Sequence, residues 1–145
     1  MRNKLLLVLL LAFTGTALLH AAKIAGGPKG GRLLDATPLK AEFFVTPDRR
    51  AEVIFYDDHA NPILPGDQSV VVIAEPAGGR LTLNLEKTAT GFLSATPLPA
   101  GEPYRIVVQI RSTRGATPQN FRVDLNLATC AECQRAEYAC TCEGH

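Results

Sequence analysis

The sequence predicts an all-β fold, an immunoglobulin-like antiparallel β-sandwich of about seven strands. Apolar and polar residues alternate with a period of two along several short segments, which is the pattern of strands that bury one face. Proline, glycine and aspartate separate these segments. No stretch before residue 128 has helical periodicity over a useful length, so helices cannot cover a sheet and a second sheet must do so.

The individual strands follow from this alternation. The clearest is 121–127, in which four apolar side chains lie on one face and three polar side chains on the other. Segments 39–46 and 52–57 are richer in aromatic residues, and the loop 47–50 between them has a length and composition that suit a hairpin. In chain order the predicted strands are 39–46, 52–57, 69–74, 80–86, 91–95, 106–110 and 121–127.

The chain begins with a segment typical of a secretory signal peptide, which we place at residues 1–22. Two basic residues precede the apolar run 5–13, and small residues follow at Ala21 and Ala22. We expect cleavage near these alanines and a periplasmic or secreted mature protein. The alternative is an uncleaved membrane anchor formed by residues 5–22, although this stretch barely reaches the roughly 20 apolar residues that a span requires.

Charge and length limit the classes of function. The whole chain has 15 basic and 14 acidic residues, and two of the basic residues lie in the predicted signal peptide, so the mature part has 13 against 14. This balance gives no electrostatic reason to expect nucleic-acid binding. The remaining chain of about 120 residues suffices for one core. We divide it into a flexible lead-in (23–35), the sandwich (36–128) and a cysteine-rich tail (129–145).

Catalytic motifs are absent from the sequence. No serine lies in a nucleophile motif, and the mature part has two histidines, His59 and His145. Asp57, Asp58 and His59 could form a metal or acid-base cluster, but their place between a strand and Asn61 favours a polar turn. We therefore predict a protein that is not an enzyme.

The cysteine-rich tail contains all four cysteines of the chain. Thr129 and Glu132 have the spacing of a capping box, which predicts a helix of about two turns that begins at Cys130. If this helix ends near Tyr138 and the chain doubles back, the four thiols can share one tetrahedral site. Thiolate ligands favour zinc or copper(I). The predicted metal ligands are Cys130, Cys133, Cys140 and Cys142, with His145 as an additional or substitute ligand.

Two other interpretations of the tail stay open. In an oxidising compartment an even number of cysteines often forms disulfides, which would here link Cys130 and Cys133 to Cys140 and Cys142. A Cys-x-x-Cys pair that opens a helix is also typical of thiol oxidoreductases. Because the predicted strands contain no cysteine, we expect the sandwich to fold without the tail.

Four short motifs resemble a small periplasmic β-domain associated with the adaptor subunits of bacterial heavy-metal efflux systems. They are the Gly-Gly segment 30–34, the Glu-apolar segment 41–45, the apolar-Tyr-Asp segment 52–57 and the turn 61–63. Members of that family often have a histidine where this chain has Lys29. The resemblance implies a periplasmic accessory role in metal efflux or homeostasis, with a metal ion and an efflux adaptor as partners.

Overall fold

The computed structural model describes residues 23–143, which form ten β-strands and one short 3-10 helix. The predicted signal peptide and His145 lie outside the described residues. The elements are β1 (Ala25–Gly26), β2 (Arg32–Leu34), β3 (Lys40–Val45), β4 (Ala51–Tyr56), β5 (Pro62–Ile63), β6 (Ser69–Glu75), β7 (Leu81–Lys87), β8 (Phe92–Ser94), β9 (Tyr104–Arg111), β10 (Gln119–Leu125) and the 3-10 helix (Glu137–Ala139). Within this part of the chain no helix has the length and apolar character needed to cross a bilayer.

The ten strands pair antiparallel in one continuous sheet that curls into a half-barrel. Their order is β1-β2-β3-β4-β8-β7-β6-β9-β10, and β5 pairs with β4. Strand β7 joins the two parts of the sheet, because residues 81–84 pair with β6 and residues 85–87 pair with β8. The prediction of an all-β antiparallel fold is confirmed. The immunoglobulin-like sandwich of about seven strands is not, since alternation indicates which residues face the core but not which strands are neighbours.

The core lies on the inner face of the curled sheet. On β9 every second residue is buried from Tyr104 to Ile110, and the residues between them are partly or fully exposed. Strands β6 and β10 bring Val72 and Val123 to the same core, where both are fully buried. Each side chain of this kind stabilises the fold by about 1.5–3 kcal/mol.

A buried carboxyl group, that of Glu42, organises the chain ahead of β3. Its side chain is fully buried and accepts hydrogen bonds from the backbone N–H groups of Lys29 (3.0 Å) and Gly31 (2.7 Å). The Tyr56 hydroxyl donates a third, at 2.9 Å. These bonds offset the cost of removing the carboxyl group from water.

The segment 23–35, predicted as a flexible lead-in, contains β1 and β2 and buries Leu34. A side chain at Gly27 would overlap the Glu42 carboxyl group, so glycine is needed for the close approach of the two. The prediction failed because hydrogen bonds to a buried acid, together with burial of Leu34, hold a segment that is poor in apolar residues.

The predicted helix that begins at Cys130 is wrong. Residues 130–135 instead form a tight turn, in which the Gln134 N–H donates to the Cys130 carbonyl (3.0 Å) and the Cys130 N–H donates to the Arg135 carbonyl (2.8 Å). Gln134 has a φ of 60°, which an α-helix does not allow. Thr129 pairs with Ala136 in an isolated bridge, so its backbone belongs to a strand-like contact and not to a helix cap.

The tail packs against the core, a contact that the alternating pattern did not indicate, and folding of the sheet without the tail stays a prediction. Tyr138 and Ala139 belong to the core cluster. The Tyr138 ring lies edge-on to Phe43, with centroids 5.7 Å apart, and its hydroxyl accepts a hydrogen bond from the Val45 N–H (3.0 Å). The Tyr138 N–H donates to the Asn126 carbonyl. The burial of Tyr138 could not be predicted, because a single aromatic residue among polar neighbours does not form a periodic apolar pattern.

Candidate metal centre

Two short segments bring the four cysteines together. The turn 130–135 places Cys130 and Cys133 at its start and middle. The 3-10 helix then reverses the chain and docks Tyr138, so that Cys140 and Cys142 return to the turn. The chain doubles back near Tyr138 as predicted, although a turn and a 3-10 helix achieve this in place of an α-helix.

The four sulfur atoms form one cluster, in which all lie within 4.8 Å of one another. The separations are 3.4 Å for Cys130 and Cys140, 3.6 Å for Cys133 and Cys140, and 3.9 Å for Cys130 and Cys142. Zinc bound by four thiolates at about 2.3 Å places the sulfurs about 3.8 Å apart at the corners of a tetrahedron. A disulfide requires about 2.05 Å, and all four cysteines are free. Three of the six separations are thus close to those of a four-sulfur metal site, and the whole cluster is compact enough to hold an ion.

Burial divides the cluster into an inner and an outer pair. Cys130 is 4% exposed and Cys140 is fully buried, whereas Cys133 and Cys142 are partly exposed. The inner pair borders the core through Ala139, the neighbour of Cys140. An ion can therefore approach from the side of Cys133 and Cys142.

Backbone amides and neighbouring sulfurs give the thiols different acidities. The N–H groups of Arg135 and Thr141 lower the pKa of Cys133 to about 6. The Cys142 N–H acts in the same direction on Cys140, yet burial and the neighbouring sulfurs raise the pKa of Cys140 on balance. The contact with Cys140, followed by burial, raises the pKa of Cys142. In the metal-free cluster, ionisation of Cys133 is therefore favoured over that of Cys140 and Cys142.

In the reduced, metal-free protein, Cys133 should react with iodoacetamide before the other thiols at about pH 6.5, because the thiolate is the reactive form. Its pKa of about 6 leaves it mostly ionised there. Cys142 is the matched comparison, since it is also partly exposed but its pKa is raised. Peptide mass mapping after timed quenching measures the rates. Equal rates for Cys133 and Cys142 at this pH would contradict the assignment.

The other candidate residues of the sequence analysis lie away from the cluster. Asp57 accepts the backbone N–H groups of His59 (2.8 Å) and Asn61 (2.9 Å), and so closes a polar turn. Asp58 and His59 are exposed in this turn. His145 lies outside the described residues, and its prediction as a ligand stays a prediction.

Sequence reasoning missed the groups that support the sulfurs. Tyr138 anchors the segment between the two cysteine pairs, and the amides of Arg135 and Cys142 each donate to the sulfur two residues earlier. The sequence gives one indication of these bonds. No proline closely follows Cys133 or Cys140, so the backbone N–H groups two residues later are available to donate to the sulfurs.

The four-cysteine cluster is the feature on which a functional proposal can be based. Comparisons of the chain with family models, with curated proteins and with solved structures found no match.

Proposed function

We propose that this chain is an exported metal-binding accessory protein that holds one zinc or copper(I) ion through Cys130, Cys133, Cys140 and Cys142. The convergence of the four sulfurs carries the proposal: all lie within 4.8 Å of one another, and three of the six separations, 3.4–3.9 Å, bracket the spacing of a tetrahedral four-thiolate site. Thiolates bind these ions in preference to magnesium or calcium, and tetrahedral four-sulfur geometry favours zinc of the two.

The amide donors support a role in binding rather than catalysis. A metal ion held by four thiolates has no open position for substrate. Amides that donate to the ligand sulfurs fix their positions and disperse the negative charge of the bound site. We therefore assign the cluster to holding an ion and not to a reaction.

The alternatives fit the same residues less well. In the disulfide alternative the nearest pair, Cys130 and Cys140, would have to close from 3.4 Å to about 2.05 Å, and the remaining pair would have to follow. In the oxidoreductase alternative Cys-x-x-Cys opens a helix, but residues 130–135 form a turn.

Export and a link to heavy-metal efflux are the finer part of the proposal. They rest on the predicted signal peptide, 1–22, and on the resemblance of segments 30–34, 41–45, 52–57 and 61–63 to the periplasmic domain named above. An efflux adaptor is the proposed protein partner. A chain released from the membrane after cleavage could then bind metal close to the pump.

The test combines metal stoichiometry with the native redox state. Reduced protein should bind one zinc or cobalt(II) ion, and cobalt should give the absorption of a tetrahedral thiolate site. The double substitution Cys133→Ser and Cys140→Ser should abolish stoichiometric binding, because each half of the site loses a ligand. Substitution of Ser69 and Ser112, which lie outside the cluster, with alanine is the control and should leave binding intact.

Protein taken from its own compartment decides between metal and disulfides. We expect free thiols with bound metal, and an intact mass that corresponds to loss of the first 21 or 22 residues. Two cystine bridges without metal would defeat the metal proposal. A mature protein that retains residues 5–13 and fractionates with membranes would defeat the export proposal.

A further inference from the structure

A cavity of about 520 Å³ lies beside the cysteine cluster, between the loop that precedes β2, the end of β3 and the tail. Its wall combines cationic side chains, those of Lys29, Arg49 and Arg135, with apolar ones, among them Phe44, Leu127 and Tyr138. We call it the cationic pocket. No acidic residue is among the described residues that line it. Cavities of this size accommodate small organic molecules.

The three cations of the cationic pocket differ in their partners. Lys29 pairs with Glu52 at 2.5 Å, and Arg49 pairs with Glu102. Arg135, by contrast, takes part in no ion pair of the described residues, and its Nη1 is buried without a hydrogen-bond partner there. Arg135 is partly exposed, but a buried donor without a partner is costly, and an anion that hydrogen-bonds to the guanidinium would offset that cost.

The position of Arg135 is set by the turn and by β1. Its carbonyl accepts the Cys130 N–H (2.8 Å), and its guanidinium packs so closely on Gly26 that a side chain there would lie 2.7 Å from Nη1. The guanidinium is thus held in place before any ligand arrives. Such preorganisation reduces the entropic cost of binding.

We propose that the cationic pocket binds an organic carboxylate with an apolar body. The carboxylate lies near Arg135, with Lys29 and Arg49 at the rim, since an arginine fork binds carboxylates in a bidentate manner. The apolar body packs on Phe44, Leu127 and Tyr138. The ligand is a small carboxylate or the carboxyl terminus of a peptide, which share this chemistry.

The test is calorimetric titration with 3-phenylpropionate, and 3-phenylpropanamide serves as the neutral analogue. Saturable 1:1 binding of the carboxylate and much weaker binding of the amide are expected. Arg135→Gln should weaken carboxylate binding by about tenfold or more, as expected for loss of a charge-assisted hydrogen bond. Arg114→Gln makes the same change of charge at a side chain that is 90% exposed, and should have little effect.

A second pair of variants keeps the proposal testable if Arg135→Gln does not fold. Gly30 lines the pocket, has a φ of 98° and has open space where a side chain would lie. Gly30→Asp and Gly30→Asn impose the same backbone strain and differ in one charge. The aspartate variant should bind the carboxylate several-fold more weakly than the asparagine variant.

The titrations are run on zinc-loaded protein and on reduced protein stripped with a neutral chelator, which separates this proposal from the metal proposal. Carboxylate-selective binding in either sample supports the pocket. Equal binding of carboxylate and amide, no saturable binding in both samples, or unchanged affinity in folded Arg135→Gln would overturn it. A peptide whose C-terminus is amidated distinguishes the two sources of carboxylate.

Discussion

The substitution Tyr138→Ala should lower the free energy of unfolding by about 3–5 kcal/mol, the range for loss of a large buried aromatic side chain. Tyr138 is 4% exposed, packs edge-on against Phe43 and accepts the Val45 N–H. Its removal leaves a cavity in the core and an unpaired amide at the end of β3. Urea denaturation of the reduced protein measures the change.

Two comparisons separate packing from the particular role of the tail. Tyr138→Phe keeps the ring and removes the acceptor for the Val45 N–H, so it should cost about 1–3 kcal/mol. Tyr104→Ala removes a tyrosine of similar burial from β9, and should destabilise the fold without changing the zinc affinity of the folded protein. Tyr138→Ala should lower both the stability of the fold and the zinc affinity. A loss below about 1 kcal/mol on Tyr138→Ala would show that the tail contributes little to the core.

Much of the fold could be predicted because sheet faces obey a strict period of two. The buried positions of β9 and β10 follow directly from alternating letters. Strand order could not be predicted, since the division of β7 between β6 and β8 depends on distant pairing. The ordered conformation of the glycine-rich segment around Glu42 could not be predicted either. Hydrogen bonds to Glu42 hold this segment, and such bonds leave no pattern of apolar residues in the sequence.

The residues of the candidate site could be predicted from the sequence, but the backbone conformation that brings them together could not. Four cysteines in 13 residues allow few arrangements other than a shared cluster, and the sulfur separations agree with that expectation. The capping-box spacing of Thr129 and Glu132 predicted a helix, but the segment forms a turn. The turn and the 3-10 helix bury Tyr138 in the core, a long-range contact that local spacing does not encode.

Zinc should stabilise the whole domain in a single transition, and not the tail alone. A ligand that binds only the folded state adds about 4 kcal/mol when its free concentration is a thousandfold above Kd. Because Cys140 adjoins Ala139 and Tyr138 in the core, release of the tail and loss of the core should occur together. Thermal unfolding of reduced protein with and without zinc, followed by circular dichroism, measures the shift.

This increment should depend on pH in a defined direction. Zinc binds thiolates, so protons compete with it and the increment shrinks as the pH falls. The pKa of Cys133 is lowered from the ordinary thiol value of about 8.5, so its own contribution to stability is present at high pH and lost as the pH falls through about 6. Cys140 and Cys142, whose pKa values are raised, must release protons to zinc even at neutral pH. Loss of both ligands tests this origin of the increment.

The double variant Cys133→Ser and Cys140→Ser should show no zinc increment at any pH. An increment that is independent of pH, or that persists in this variant, would place zinc at other groups. A transition of the tail that precedes a zinc-independent melt of the sheet would show that the cluster and the core are separate units.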